Sequence, residues 1–166
     1  MNIENLILNR IQESIDTKNR ILNSKEYIFI LEKVACELYK TLKKGGKILI
    51  CGNGGSASDA LHMAGEIVGR FQKERNAWPA IALNADVASL TAIANDYTYD
   101  DIFVRGTEAY MKKDDILIGI STSGNSENVL RAIEKANEIG GKTVALLGKS
   151  GGKIKNKAEY SFVVPS

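Results

Sequence analysis

Apolar residues recur every four positions at the start of the chain. Ile3, Ile7, Ile11 and Ile15, with Leu8 and Leu22 beside them, form one stripe and predict a helix from about residue 3 to 22. Ser24 has the chemistry of an N-cap, and Ile28, Leu31, Val34, Ala35, Leu38 and Leu42 repeat at helical spacing until Gly45 and Gly46 stop a second helix. Two long amphipathic helices ahead of a sheet either cover it or pack against another subunit.

From Lys47 the period changes. Short runs apolar on both faces follow: KILIC (47–51), PAIAL (79–83), DILIGI (115–120) and TVALLG (143–148), with YSFVV (160–164) as a fifth. Runs of this length suit strands of a parallel sheet buried between helices. Helical stretches at 56–70, 87–94, 102–111 and 126–139 separate them, so the alternation predicts an α/β fold with right-handed crossovers. No repeat, low-complexity tract or Pro-rich linker divides the chain.

Composition narrows the function classes. The 166 residues are 44% hydrophobic and 25% charged, enough for one sizeable core. The net charge of +2 comes from 22 basic and 20 acidic residues scattered along the chain, without the basic stripe that nucleic acid requires. The N-terminal segment mixes charge into every turn, so neither a signal peptide nor a membrane span is expected and the predicted compartment is the cytoplasm. Cys36 and Cys51, without CxxC spacing, read as two buried free thiols.

Ligands of open α/β sheets bind beyond the carboxyl ends of the strands. KILIC is followed there by Gly52, Asn53, Gly54, Gly55 and Ser56, with Ser56 as expected N-cap and Asp59 completing a capping box. Glycines allow close backbone approach, and a helix start offers N–H groups to an anion. DILIGI is followed by Ser121, Thr122, Ser123, Gly124, Asn125 and Ser126, whose hydroxyls beside a helix start suit a phosphate. Turn formation alone also accounts for such residues. The glycines lack the spacing of a dinucleotide fingerprint, and no GK[ST] follows them.

The single histidine, His62, lies two turns into the next helix, with Glu66 at i+4 and Arg70 at i+8. The spacing places all three on one ridge. An imidazole and a carboxylate there serve as two metal ligands, as an acid and base, or as a surface ion pair with Arg70. Asn95 and Asp96 interrupt an apolar stretch, either as partners for sugar hydroxyls or as a helix C-cap and turn.

The segments CGNGGSASDALHMAGEIVGRF, PAIALNADVASLTAIANDYTYDDIF, GISTSGNSENVLRAI and LLGKSGGK, in this order, resemble the sugar isomerase (SIS) domain family and, within it, its heptose-phosphate branch. The resemblance implies one SIS domain over 1–166, with N-terminal helices in 1–45 and an α/β core in 46–166. It also implies a five-stranded, flavodoxin-like three-layer sandwich.

The activity implied is aldose–ketose isomerisation of sedoheptulose 7-phosphate to D-glycero-D-manno-heptose 7-phosphate, for the heptose of bacterial surface polysaccharides such as lipopolysaccharide. By the same resemblance Ser56, Ser121, Thr122, Ser123 and Ser126 bind the phosphate. Asn53, Gly54, Gly55, Asn95 and Asp96 contact the sugar, and Arg70 joins the substrate-binding set. Glu66 is the base, with His62 beside it as a catalytic residue, and both also match zinc ligands. A homotetramer with active sites at its interfaces is implied as well.

In the family a further helix follows the Val-Pro-Ser segment. Its Gln and His complete the zinc site and supply the second acid–base group, and a chain without that helix is expected to have little activity. The alternative is a non-catalytic phosphosugar-binding or replication-initiator-associating relative, which lacks the glutamate after the histidine and has Arg in the STSG motif. Glu66 and Ser123 favour the enzyme. A regulatory sugar-phosphate sensor is usually fused to a DNA-binding module, and no helix-turn-helix is evident in residues 1–45.

Overall fold

The computed structural model describes residues 2–165. The chain opens with α1 (Ile3–Leu22) and α2 (Lys25–Lys43), with boundaries set by local chemistry. The Asn2 side chain accepts from the Glu4 N–H at 3.0 Å, and the Ser24 hydroxyl accepts from the Tyr27 N–H at 3.4 Å. Five strands then alternate with four helices: β1 (Ile48–Gly52), α3 (Gly55–Val68), β2 (Ala80–Ala82), α4 (Val87–Asp96), α5 (Ile102–Tyr110), β3 (Ile116–Ser121), α6 (Glu127–Ile139), β4 (Lys142–Leu147) and β5 (Tyr160–Val163).

All strand pairs are parallel, in the order β2-β1-β3-β4-β5. This is the doubly wound flavodoxin-like order, with its switch point between β1 and β3. Strands buried on both faces explain the uniformly apolar runs. Leu49, Cys51, Leu117, Ala145 and Leu147 face α5 and α6, where Phe103, Val129 and Ile133 complete a core with no exposed surface of their own. Ile48, Ile50, Ile116, Ile118 and Val144 face α2 and α3.

The N-terminal helix does not cover the sheet. None of its residues is buried, α2 is the element it packs on, and its apolar stripe, Ile7, Leu8, Ile11 and Ile15 included, is about half exposed. Cys36 corrects another expectation: it lies on the outer side of α2, exposed, whereas Cys51 is buried and its thiol is pushed up to about 12 by burial alone.

At the amino ends of the strands, charge does the fastening. The buried Asp115 carboxylate accepts from the Lys47 N–H (2.9 Å), the Lys112 N–H (2.7 Å) and the Lys47 ammonium (2.5 Å). On α2, Glu37 pairs with Lys142 of β4 and with Lys40.

Candidate active site

The loops after β1 and β3 flank the switch point. The helix after the first begins one residue earlier than its sequence suggests. Gly54, not Ser56, is the N-cap of α3, and Ser56 and Asp59 form no capping box. Gly54 sits at φ +56°, a left-handed conformation that suits glycine, and it turns the chain into the helix before Ser56 is reached. The Ser56 N–H donates to the Asn53 carbonyl at 3.0 Å, and the residue lines the cleft.

The second loop is braced from within. The Ser121 and Ser126 hydroxyls lie 2.9 Å apart, the Gly124 N–H donates to the Ser121 hydroxyl at 3.2 Å, and the Asn125 N–H donates to that of Ser123 at 3.1 Å. Ser126 is the N-cap of α6 yet makes no side-chain cap bond; Asn128 takes the Val129 N–H, and those of Glu127 and Asn128 remain for an anion. Gly124 has φ +67°, and a Cβ there would come within 2.0 Å of the Gly151 carbonyl oxygen. The segment after β4 thus packs backbone to backbone under this loop, with the Lys153 N–H donating to the Asn125 side chain at 3.0 Å.

Ser56 and Thr122 line one cavity of about 410 Å³, together with Asp59, Met63, Gly148 and Val164. The two loops therefore share a cleft. His62 and Glu66 do form a pair, with the imidazole Nε2 3.1 Å from the Glu66 carboxylate. They do not line that cleft. Ten residues of helix separate Ser56 from Glu66, about 15 Å along the axis. Glu66 instead borders an apolar cavity of about 490 Å³ with Leu38, Phe71 and Trp78.

Arg70 leaves the expected ridge. Helix α3 ends at Val68 with Gly69 as its C-cap, so Arg70 lies beyond the helical spacing and reaches Glu74 at 3.4 Å. The neighbour that does tie into this helix is Arg75. It donates to the Glu66 carbonyl (3.1 Å) and the Ile67 carbonyl (2.8 Å) and stacks over Trp78 at 4.6 Å. Asn95 and Asp96 form the exposed last turn of α4 and bond to each other at 2.9 Å. The helix-end alternative thus describes their local structure; Ala94, just before them, lines a small cavity with Asn53 and Gly54.

His62 and Glu66 bring one nitrogen and one carboxylate oxygen within 3.1 Å of each other, two donors of the kinds zinc accepts. Among the described residues no group of three or more His, Cys, Asp and Glu side chains could hold a metal. None of the described helices is long and apolar enough to cross a membrane.

Three polar residues that sequence reasoning did not assign hold the glycine loop in place. Asn84, at the end of β2, accepts from the Gly52 N–H at 3.3 Å and donates to the Gly52 carbonyl at 2.8 Å. Asn128 exchanges two side-chain bonds with Asn53, and the Tyr99 hydroxyl donates to Asn53 at 3.0 Å. A polar residue ending an apolar strand run is a readable signal for Asn84. An Asn early in a helix carries no such signal.

The SIS domain model matches residues 14–148. The phosphoheptose isomerase of Thermodesulfovibrio yellowstonii is 50% identical over 166 residues, which is all of this chain and 82% of that protein. That of Clostridium acetobutylicum is 47% identical over 164 residues, covering 99% of this chain and 84% of the relative. The solved phosphoheptose isomerase of Francisella tularensis superposes with a TM-score of 0.93 at 37% identity, over 100% of this chain and 87% of its own. With its strand order, its paired loops at the switch point and this similarity along its whole length, the chain belongs to the SIS domain family, in the branch of the phosphoheptose isomerases.

Proposed function

We propose that the chain isomerises sedoheptulose 7-phosphate to D-glycero-D-manno-heptose 7-phosphate in the cytoplasm, supplying heptose for a surface polysaccharide such as lipopolysaccharide. The observation that carries this reading is the single cleft bordered by Ser56 and Thr122 at the β1/β3 switch point, in a chain about half identical to phosphoheptose isomerases. Its hydroxyls and the open α6 start suit a dianionic phosphate, which Ser56, Ser121, Thr122, Ser123 and Ser126 hold. Asn53, Gly54, Gly55, Asn95 and Asp96 contact the sugar, and Arg70 adds charge at its rim.

Glu66 is the base. Its carboxylate removes a proton from C1 of the open-chain ketose while O2 takes up a proton from water, giving a C1–C2 enediol. Return of a proton to C2 with loss of the O1 proton gives the aldose. His62 orients and polarises this carboxylate through their 3.1 Å contact. The two also match two of a zinc site's ligands; a bound zinc would supply Lewis-acid polarisation of a sugar oxygen.

The separation between Ser56 and Glu66 along α3, with the bare apolar stripe of α1, supports active sites built between subunits of a homotetramer. There the Glu66 of one copy meets substrate held by the loops of another. Incubation of the full-length protein with sedoheptulose 7-phosphate, with and without zinc, followed by NMR should reveal an aldose signal growing at the expense of the ketose. An unchanged spectrum under both conditions overturns the reading.

A further inference from the structure

The β1/β3 ladder runs to Gly52 and Ile120, and past it a pair of side chains ties the two loops at the switch point together. Asn128, in the first turn of α6, is 2% exposed. Its Nδ2 donates to Asn53 Oδ1 at 3.0 Å, while its Oδ1 accepts from Asn53 Nδ2 at 2.8 Å and from the Val129 N–H at 2.9 Å.

The result is a reciprocal amide pair spanning 75 residues of sequence, and the Tyr99 hydroxyl adds a third bond to the Asn53 side chain, the second to its oxygen. These bonds occupy the Asn53 amide heavily. Its value to a ligand then lies in where it places the Gly54–Gly55 backbone. Asn84 braces the same loop from the β2 side, so the glycine loop is held by amide side chains on both flanks.

We infer that Asn128 is a positioning residue for the isomerase reaction, setting the distance between the loop that holds the phosphate and the loop that meets the sugar. The inference rests on the proposed function. A ligand spanning both loops gains from a fixed spacing because no ordering remains to be done on binding. Inorganic phosphate, which meets Ser56 and the hydroxyls of the second loop but not the Asn53–Gly55 stretch assigned to the sugar, gains far less from it.

Asn128→Asp keeps the shape, removes the Nδ2 donor and sets a carboxylate against Asn53 Oδ1. Loss of one such bond, together with the unfavourable contact between two acceptors, should raise KM for sedoheptulose 7-phosphate roughly tenfold. The inhibition constant of inorganic phosphate should stay within about twofold of wild type. Lowering the pH protonates the new carboxyl and restores an O–H donor, so the ratio of variant to wild-type KM should fall toward one. Tyr99→Phe, at a half-exposed position where folding is not at stake, should raise KM by about threefold, again without touching phosphate inhibition.

Equal weakening of phosphate and sugar phosphate, or a KM ratio that ignores pH, overturns the inference and leaves Asn128 a purely structural residue. Unchanged KM in both variants overturns it as well. An inactive wild-type protein would instead defeat the functional reading on which it rests.

Discussion

The two faces of the sheet are closed to different degrees. On one, α5 and α6 seal the strands: α6 buries Val129, Leu130, Ala132, Ile133 and Ala136 against them. On the other, α2 and α3 bury the strand residues beneath them but leave their own outer sides apolar. Ile28, Phe29, Tyr39, Leu61 and Val68 keep large exposed areas, and α1 lies outside with nothing buried. Exposed apolar surface on this scale marks an interaction site. The sealed face carries the phosphate loop on a rigid footing, and the open face carries His62 and Glu66. The part of the molecule assigned to proton transfer is thus the part that one chain leaves unfinished.

The most severe way to break this contrast is to charge the open face. Ile7→Asp combined with Ile11→Asp should convert a tetramer to monomers by light scattering at micromolar concentration and abolish turnover, with helical circular dichroism retained. A tetramer that survives both substitutions would mean that α1 is not the contact. Next in size, Glu66→Gln should lower kcat by about 10²–10⁴-fold while KM changes little, because the proton acceptor is removed and the shape kept. Turnover near wild type would remove Glu66 as base.

The sealed face should respond in stability rather than chemistry. Ile133→Ala empties a fully buried site and should cost about 2–5 kcal/mol in urea unfolding. Truncating Ile11, which is 53% exposed, should leave the dissociated chain within about 0.5 kcal/mol of wild type and act on assembly instead. Similar losses at the two positions would erase the distinction between the faces.

The smallest effect concerns how α2 is fastened to the open side. Hydrogen bonds from Lys142 and then Lys40 hold the Glu37 carboxyl at about 2, well below its ordinary 4.5. A carboxylate depressed by folding stabilises the native state above its unfolded pKa, and that contribution disappears as pH falls from about 4.5 to about 2. Glu37→Gln should flatten the acid limb of the stability curve in that window and leave neutral-pH unfolding only modestly changed. An unaltered acid limb would show that the pair does not fasten α2.

Much of this architecture was legible in the residues. Apolar runs gave the five strands within a residue or two, and helical spacing gave α1 and α2 almost to their ends, because both signals come from burial of whole elements. The failures share a scale. Ser56 looked like a cap because Ser usually is one, but a glycine's left-handed backbone started the helix earlier. Arg70 left the ridge because Gly69 ended the helix first.

Cys36 sat in an apolar pattern whose outer side no other element of the chain covers. Asn84 and Asn128 act through partners brought near by the topology, and spacing along one segment cannot show that. The composition of the two candidate loops was readable; their convergence on a single cleft required the fold.

The contact beneath Gly124 has an evolutionary consequence. Gly124, Gly151 and Gly152 meet through main-chain atoms alone, and a methyl group added at any of them would strike backbone or a fixed side chain within 3 Å. Neither segment can drift by single substitutions. Descendants that reshape this loop must remodel both stretches together or vary the hydroxyl-bearing neighbours, so change is channelled into a handful of flanking positions.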